Sequence, residues 1–132
     1  MAKEPILIVD DNAQNLKLAR VILEIEGYDV KTAADADETQ TILQTFHPRL
    51  ILMDIQLPGM DGLQLTRKLK SGSATRDIII LAVTAYAMKG DDQRALDAGC
   101  DGYVSKPIDT RALPGVVAKF VRKDLALKGG NS

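Results

Sequence analysis

Residues 50–54 read Leu-Ile-Leu-Met-Asp, an unbroken apolar run that ends in a carboxylate. A half-buried strand alternates apolar and polar side chains. An unbroken run therefore implies a strand covered on both faces, as in a parallel sheet with helices on either side. The same figure stands at Ile6-Leu7-Ile8-Val9, before Asp10-Asp11, and at Ile78 to Val83, before Thr84-Ala85. The stretches between these runs have the spacing of helices. Asn12 to Glu26 places Leu16, Ala19, Val21, Ile22, Leu23 and Ile25 on a helical pattern and stops at Gly27. Tyr28 to Ala33 reads as a strand, and Asp35 to Phe46 as a helix ended by His47-Pro48. Gln56 to Gly62 is a Pro/Gly loop in which Gly59 and Gly62 permit the turn. Leu63 to Lys70 carries Leu63, Leu65 and Leu69 on a helical pattern, and Met88 to Ala98 is a helix stopped by Gly99. Gly102 to Val104 is a short strand, and a last helix follows Asp109. Pro114-Gly115 marks its start near Leu113 or a kink within it.

Strand and helix thus alternate five times over. This predicts an α/β fold of the (βα)5 kind, a doubly wound parallel five-stranded sheet with right-handed crossovers. The 132 residues suit a single domain, with a core of about 5–123 and a tail over 124–132. Apolar residues at 45% and charged residues at 27% argue against general disorder. A formal charge of -1 argues against a nucleic-acid or membrane-surface partner bound through bulk positive charge. The lone Cys100 excludes an internal disulfide and reads as a small residue at the core edge, while the lone His47 excludes His-pair metal motifs and reads as a turn residue. Neither a signal peptide nor a membrane-spanning run is visible, so a cytoplasmic protein is expected.

In open parallel sheets ligands sit beyond the C-terminal ends of the strands. There the chain places Asp10-Asp11, Asp54, Thr84-Ala85 and Lys106-Pro107. Asp10-Asp11 taken alone reads equally well as a helix N-cap. The repeated figure of an apolar run ending in Asp, with Thr-Ala and Lys-Pro after the later strands, argues for a site. Three converging carboxylates repel one another and call for a cation. Mg²⁺ suits them, because it accepts one or two carboxylates, keeps several waters and leaves room for phosphate oxygens. Lys106 adds a fixed positive charge.

These blocks resemble the receiver domains of two-component response regulators. The resemblance rests on Ile8-Val9-Asp10-Asp11-Asn12, on Met53 to Gly62, on Ala82-Val83-Thr84-Ala85 and on Tyr103-Val104-Ser105-Lys106-Pro107. It extends from about Ile6 to Arg122. Leu52 to Pro58 and Ala85 to Asp91 look most like stand-alone receivers of the DivK type. The resemblance implies a flavodoxin-like sheet of order 2-1-3-4-5. It implies Asp54 as phospho-acceptor, taking a phosphoryl group from a phosphohistidine of a sensor kinase or phosphotransfer protein. Asp11, Asp54 and the backbone carbonyl of Gln56 would ligate Mg²⁺, with Mn²⁺ a possible substitute, and Asp10 would hold a metal-bound water. Lys106, on a cis bond to Pro107, would pair with Asp54 and then with the phosphoryl group. Thr84 and Tyr103 would form the switch pair, and Gln56 and Tyr86 would tune dephosphorylation, a bulky Tyr86 slowing water attack.

The expected function is therefore a phosphorylation-switched signalling module rather than an enzyme, catalysing only its own phosphoryl uptake and hydrolysis. It would bind a downstream protein as a monomer or as a phosphorylation-linked dimer. Pro114-Gly115 departs from the family pattern on the face that commonly meets partners. Two other readings compete. A phosphotransferase of the haloacid dehalogenase type needs D-x-D after the first strand, where this chain has Asp10-Asp11-Asn12. A receiver-like module that works without phosphorylation would lack an acidic residue or the lysine, and here all are present.

Overall fold

The structure is a computed structural model that describes residues 4–57, 59, 61–84, 91–106 and 108–129. In chain order its elements are β1 (Pro5–Val9), α1 (Ala13–Ile25), β2 (Asp29–Ala33), α2 (Ala36–Ile42), β3 (Leu50–Asp54), α3 (Gly62–Ser71), β4 (Ile79–Thr84), α4 (Asp91–Asp97), β5 (Gly102–Ser105) and α5 (Leu113–Gly129). The five strands pair in parallel in the order β2-β1-β3-β4-β5, so the expected fold and strand order are both observed.

The apolar runs are buried on both faces because alternate side chains enter different layers. Leu7, Val9, Ile51, Met53, Ile80 and Ala82 pack with Leu63 and Leu69 of α3 and Ala95 of α4. Ile6, Ile8, Leu50, Leu52, Leu81 and Val83 pack with Ala19 and Leu23 of α1 and Leu113, Val117 and Val121 of α5. Two helix layers thus enclose the sheet, and burial of these side chains is the main stabilising term. Cys100 is buried as expected, its Sγ 3.9 Å from the Thr66 hydroxyl.

Three expectations about element ends need correction. The helix expected over Asp35 to Phe46 ends at Ile42. Beyond it, the N–H groups of Gln44 and Thr45 donate three residues back, to Thr41 and Ile42, in tightened turns. Pro48 disfavours helical backbone at His47, so the chain unwinds before it. Gly62, read as a loop residue, is the first residue of α3, behind the Asp61 cap. The last helix begins at Leu113, as one of the two readings of Pro114-Gly115 expects, with Pro114 in its first turn, where a missing N–H costs nothing. Asp109 braces that start, its carboxylate accepting the N–H of Arg111 at 2.9 Å. The same helix continues through Gly129, into the stretch expected as tail. Lys123 to Lys128 are mostly good helix formers with no Pro or Gly among them. The expected start of the fourth helix, Met88 to Gly90, lies outside the described residues, as does the end of the chain from residue 130.

Candidate phosphoryl-acceptor and cation site

The ladder that pairs the strands continues past their C-terminal ends and fixes the residues there. The N–H of Asp10 donates to Ala33 O at 3.0 Å, that of Ile55 to Val83 O at 3.2 Å, and that of Lys106 to Thr84 O at 2.6 Å. Asp10, Asp54, Thr84 and Lys106 therefore stand on one sheet edge, held by backbone bonds. Asp10, Asp54 and Thr84 are buried.

Both oxygens of Asp54 are engaged. Oδ1 accepts the N–H of Gln56 at 2.9 Å, and Oδ2 faces Lys106 Nζ at 3.1 Å. The same ammonium lies 3.5 Å from Asp10 Oδ2, so one lysine bridges two buried carboxylates. Asp10 Oδ1 accepts the N–H of Asn12 at 2.8 Å, and Oδ2 the side-chain amide of Asn15 at 3.4 Å. Asn12 in turn caps α1 by accepting the N–H of Asn15 at 3.0 Å.

Burial pushes the Asp54 carboxyl above its ordinary value, and Asp10 adds to the rise. The Gln56 N–H and the Lys106 ammonium oppose it without cancelling it. Burial also penalises the charged form of Lys106, but Asp54 and Asp10 outweigh that, and its ammonium is held above the usual lysine value.

One carboxylate oxygen from each of buried Asp10, exposed Asp11 and buried Asp54 lies within 4.8 Å of the others. The donors are all oxygen and all carboxylate, which fits a hard divalent ion, and the exposed Asp11 leaves room for metal-bound water. Gln56 stands two residues beyond Asp54 with its side chain exposed. Tyr103, in register with Ala82, is 46% exposed. Tyr86 and the bond to Pro107 lie outside the described residues.

Gly62 brings α3 against this edge. A Cβ on it would lie 2.1 Å from the Asp54 carbonyl oxygen and 2.7 Å from Ile55 Cα, a space only glycine fills. Its N–H donates to Ile55 O at 3.1 Å, tying the helix to the end of β3. Gly62 and Asn15 were not among the residues expected to shape the site. An Asn in the first turn of a helix, three residues after an Asn cap, was the available signal for Asn15.

His47 falls at the other end of the sheet, away from the acidic cluster. With Glu4, Pro5, Pro48, Arg49 and Asp77 it lines a cavity of about 260 Å³, its Nε2 3.4 Å from Asp77 Oδ2.

An Asp cluster at the C-terminal edge of a 2-1-3-4-5 sheet, with a lysine bridging two of its members, defines a response regulator receiver. The model of the response regulator receiver domain matches residues 6–118, and the chain belongs to that family. It is similar to the polar-differentiation response regulator DivK of Brucella ovis, with 46% identity over 103 residues, 78% of this chain and 84% of the relative. Among solved structures it resembles a CheY-like receiver domain protein from Methanospirillum hungatei, with a TM-score of 0.85 and 33% identity, covering 93% of this chain and 97% of that one. It also resembles NtrX of Brucella abortus, with a TM-score of 0.90 and 25% identity over 98% of this chain but 29% of that longer protein. Among the described residues, no helix is long and apolar enough to cross a membrane.

Proposed function

We propose that this chain takes a phosphoryl group onto Asp54 from a phosphohistidine of a sensor kinase or phosphotransfer protein, and that the modification switches its surface for a downstream protein partner. The observation that carries this reading is the buried Asp54 carboxylate with Lys106 Nζ at 3.1 Å and two further carboxylates beside it. An Asp54 oxygen attacks phosphorus, the P–N bond breaks, and the bond pair leaves with the donor imidazole. Asp11, Asp54 and the Gln56 carbonyl would hold Mg²⁺, or Mn²⁺ in its place, with Asp10 holding a water; the ion supplies charge neutralisation for the transferred oxygens. Lys106 stays protonated and turns from the carboxylate to a phosphoryl oxygen. The Thr84 hydroxyl donates to another, and the half-exposed Tyr103 ring turns inward as the Thr84 loop moves.

On this reading the chain works in the cytoplasm and is not an enzyme toward a separate substrate. Incubation with acetyl phosphate tests it. A Mg²⁺-dependent mass gain of one phosphoryl group is expected from the parent chain and none from Asp54→Asn. No gain under any condition would favour a module that binds partners without phosphorylation.

A further inference from the structure

We propose that Asn15 is a positioning residue for the cation pocket, orienting the Asp10 carboxylate from the first turn of α1. The inference rests on the reading of the pocket as a Mg²⁺ site. Asp10 is 3% exposed, and each of its oxygens is directed by a different group. Oδ1 is fixed by the Asn12 N–H at 2.8 Å. Oδ2 lies between the Asn15 side-chain amide at 3.4 Å and Lys106 Nζ at 3.5 Å.

The two asparagines close a ring. The Asn12 backbone holds one oxygen of Asp10, the Asn12 side chain holds the Asn15 backbone at 3.0 Å, and the Asn15 side chain holds the other oxygen of Asp10. A carboxylate held at both oxygens cannot rotate about χ2 without breaking a bond. Asp10 therefore keeps Oδ2 toward the Lys106 ammonium, which also faces Asp54, and stays within the acidic cluster. Helix stability alone does not call for Asn at position 15, since Asn is a poor helix former. The side chain is better explained by what it touches.

The amide also divides Lys106 between its two partners. By donating to Asp10 Oδ2 it lessens the need of that oxygen for the ammonium, which sits closer to Asp54, at 3.1 Å against 3.5 Å. Without the amide, Asp10 is free to turn and to draw Lys106 toward itself. The pocket would then offer a divalent ion a carboxylate that is both misdirected and more firmly paired. Groups that orient metal-holding residues typically change affinity by about 10- to 100-fold when removed. The 3.4 Å contact is long, so the lower end is expected here.

The test titrates MgCl₂ into the full chain by calorimetry, with thermal melts by circular dichroism to establish that each variant is folded. Asn15→Ala, and Asn15→Leu with more of the side-chain volume kept, should weaken Mg²⁺ binding by about tenfold. Asn15→Gln keeps the donor and should bind within about threefold of the parent. A purely structural residue would not separate Gln from Ala and Leu, because all three variants are better helix formers than Asn. Parent-like affinity in the folded Ala and Leu variants, or equal weakening in all three, would overturn the positioning role. A parent chain that binds no Mg²⁺ would instead remove the reading of the pocket on which that role rests.

Discussion

Replacing Gly62 with Ala adds one methyl group at the junction of β3 and α3, and the structure gives it nowhere to go. The new Cβ would lie 2.1 Å from the Asp54 carbonyl oxygen, 2.7 Å from Ile55 Cα and 2.8 Å from the Asp54 carbonyl carbon. All three are backbone atoms in or next to a central strand, so no side-chain rotation relieves the contact. Ordinary van der Waals separation requires the start of α3 to retreat by more than roughly 1 Å. That retreat strains the Gly62 N–H bond to Ile55 O and pulls on the segment that carries Asp54.

Overpacking costs about 1–3 kcal/mol where neighbours can adjust, and occasionally more. Here the rigid neighbours place the cost at about 3 kcal/mol or above, against a gain of at most about 1 kcal/mol from the higher helix propensity of Ala. The net expectation is a loss of about 2 kcal/mol or more. Gly115 in α5 is the internal control, since a Cβ there meets nothing within 4 Å. Gly115→Ala should gain about 0.5–1 kcal/mol. With a urea m-value of about 2 kcal/mol/M, the midpoint should fall by about 1 M or more for Gly62→Ala and rise by about 0.3–0.5 M for Gly115→Ala. Folded Gly62→Ala protein should also take up phosphoryl groups more slowly, because the displaced backbone carries Asp54. A Gly62→Ala midpoint equal to that of the parent would refute the reasoning.

Three further outcomes are expected. Because Asp54 has a raised folded-state pKa, the folded chain keeps a proton that the unfolded chain has released, and stability falls as pH rises from the ordinary carboxylate value through the raised one. Asp54→Asn removes that loss, so it should be more stable than the parent at neutral pH by an amount that shrinks on acidification; urea melts at neutral and acid pH would expose the opposite trend. Lys106→Met strands two buried carboxylates and should cost about 3 kcal/mol at neutral pH. Since the raised lysine contributes fully below its ordinary value and loses its contribution as pH rises through the folded value, the difference from the parent should narrow at strongly alkaline pH; a difference independent of pH would contradict the pairing. Asp101 accepts Lys70 Nζ and the Ile80 N–H, both at 2.8 Å. Asp101→Ala should therefore destabilise by about 1–3 kcal/mol while leaving Mg²⁺ affinity unchanged in calorimetry.

What could be read from the sequence follows from where each residue sits in the layers. β1, β3 and β4 are buried on both faces and so carry unbroken apolar runs, which is why their ends, and with them Asp10, Asp54 and Thr84, could be located. The edge strands β2 and β5 keep exposed positions and show a weaker signal. The end of α2 was obscured because Leu43 and Phe46 continue the apolar spacing. Both pack on the core from the turns beyond the helix, and Phe46 also lies under Lys31 Nζ at 5.4 Å. Gly62 looked like any loop glycine, since its contact with the Asp54 carbonyl depends on how α3 docks against β3. The Asn15 amide reaches Asp10 only through the placement of α1 beside the end of β1, and no local pattern states that.

The charges at this edge connect stability to function. A fold that sought stability alone would not bury Asp10 and Asp54 side by side, and the raised carboxyl of Asp54 records the resulting penalty. Lys106 offsets part of it, but one ammonium shared by two carboxylates, with a third nearby, leaves the edge negative. If the pocket is the proposed cation site, that residual charge would favour binding of a divalent ion to the folded chain over the unfolded one, where Asp54 lies far along the chain from Asp10 and Asp11. On the same reading, burial that disfavours the ionised Asp54 would become, with a cation beside it, a low-dielectric setting in which the carboxylate and its positive partners interact strongly. The residues that restrain the carboxylates, Asn12 and Asn15 at Asp10 and the Gln56 N–H at Asp54, keep this unfavourable arrangement from relaxing by rotation. They sit at the start of α1 and just beyond the end of β3, both held against the sheet, so the site inherits the rigidity of the two-sided core beneath it.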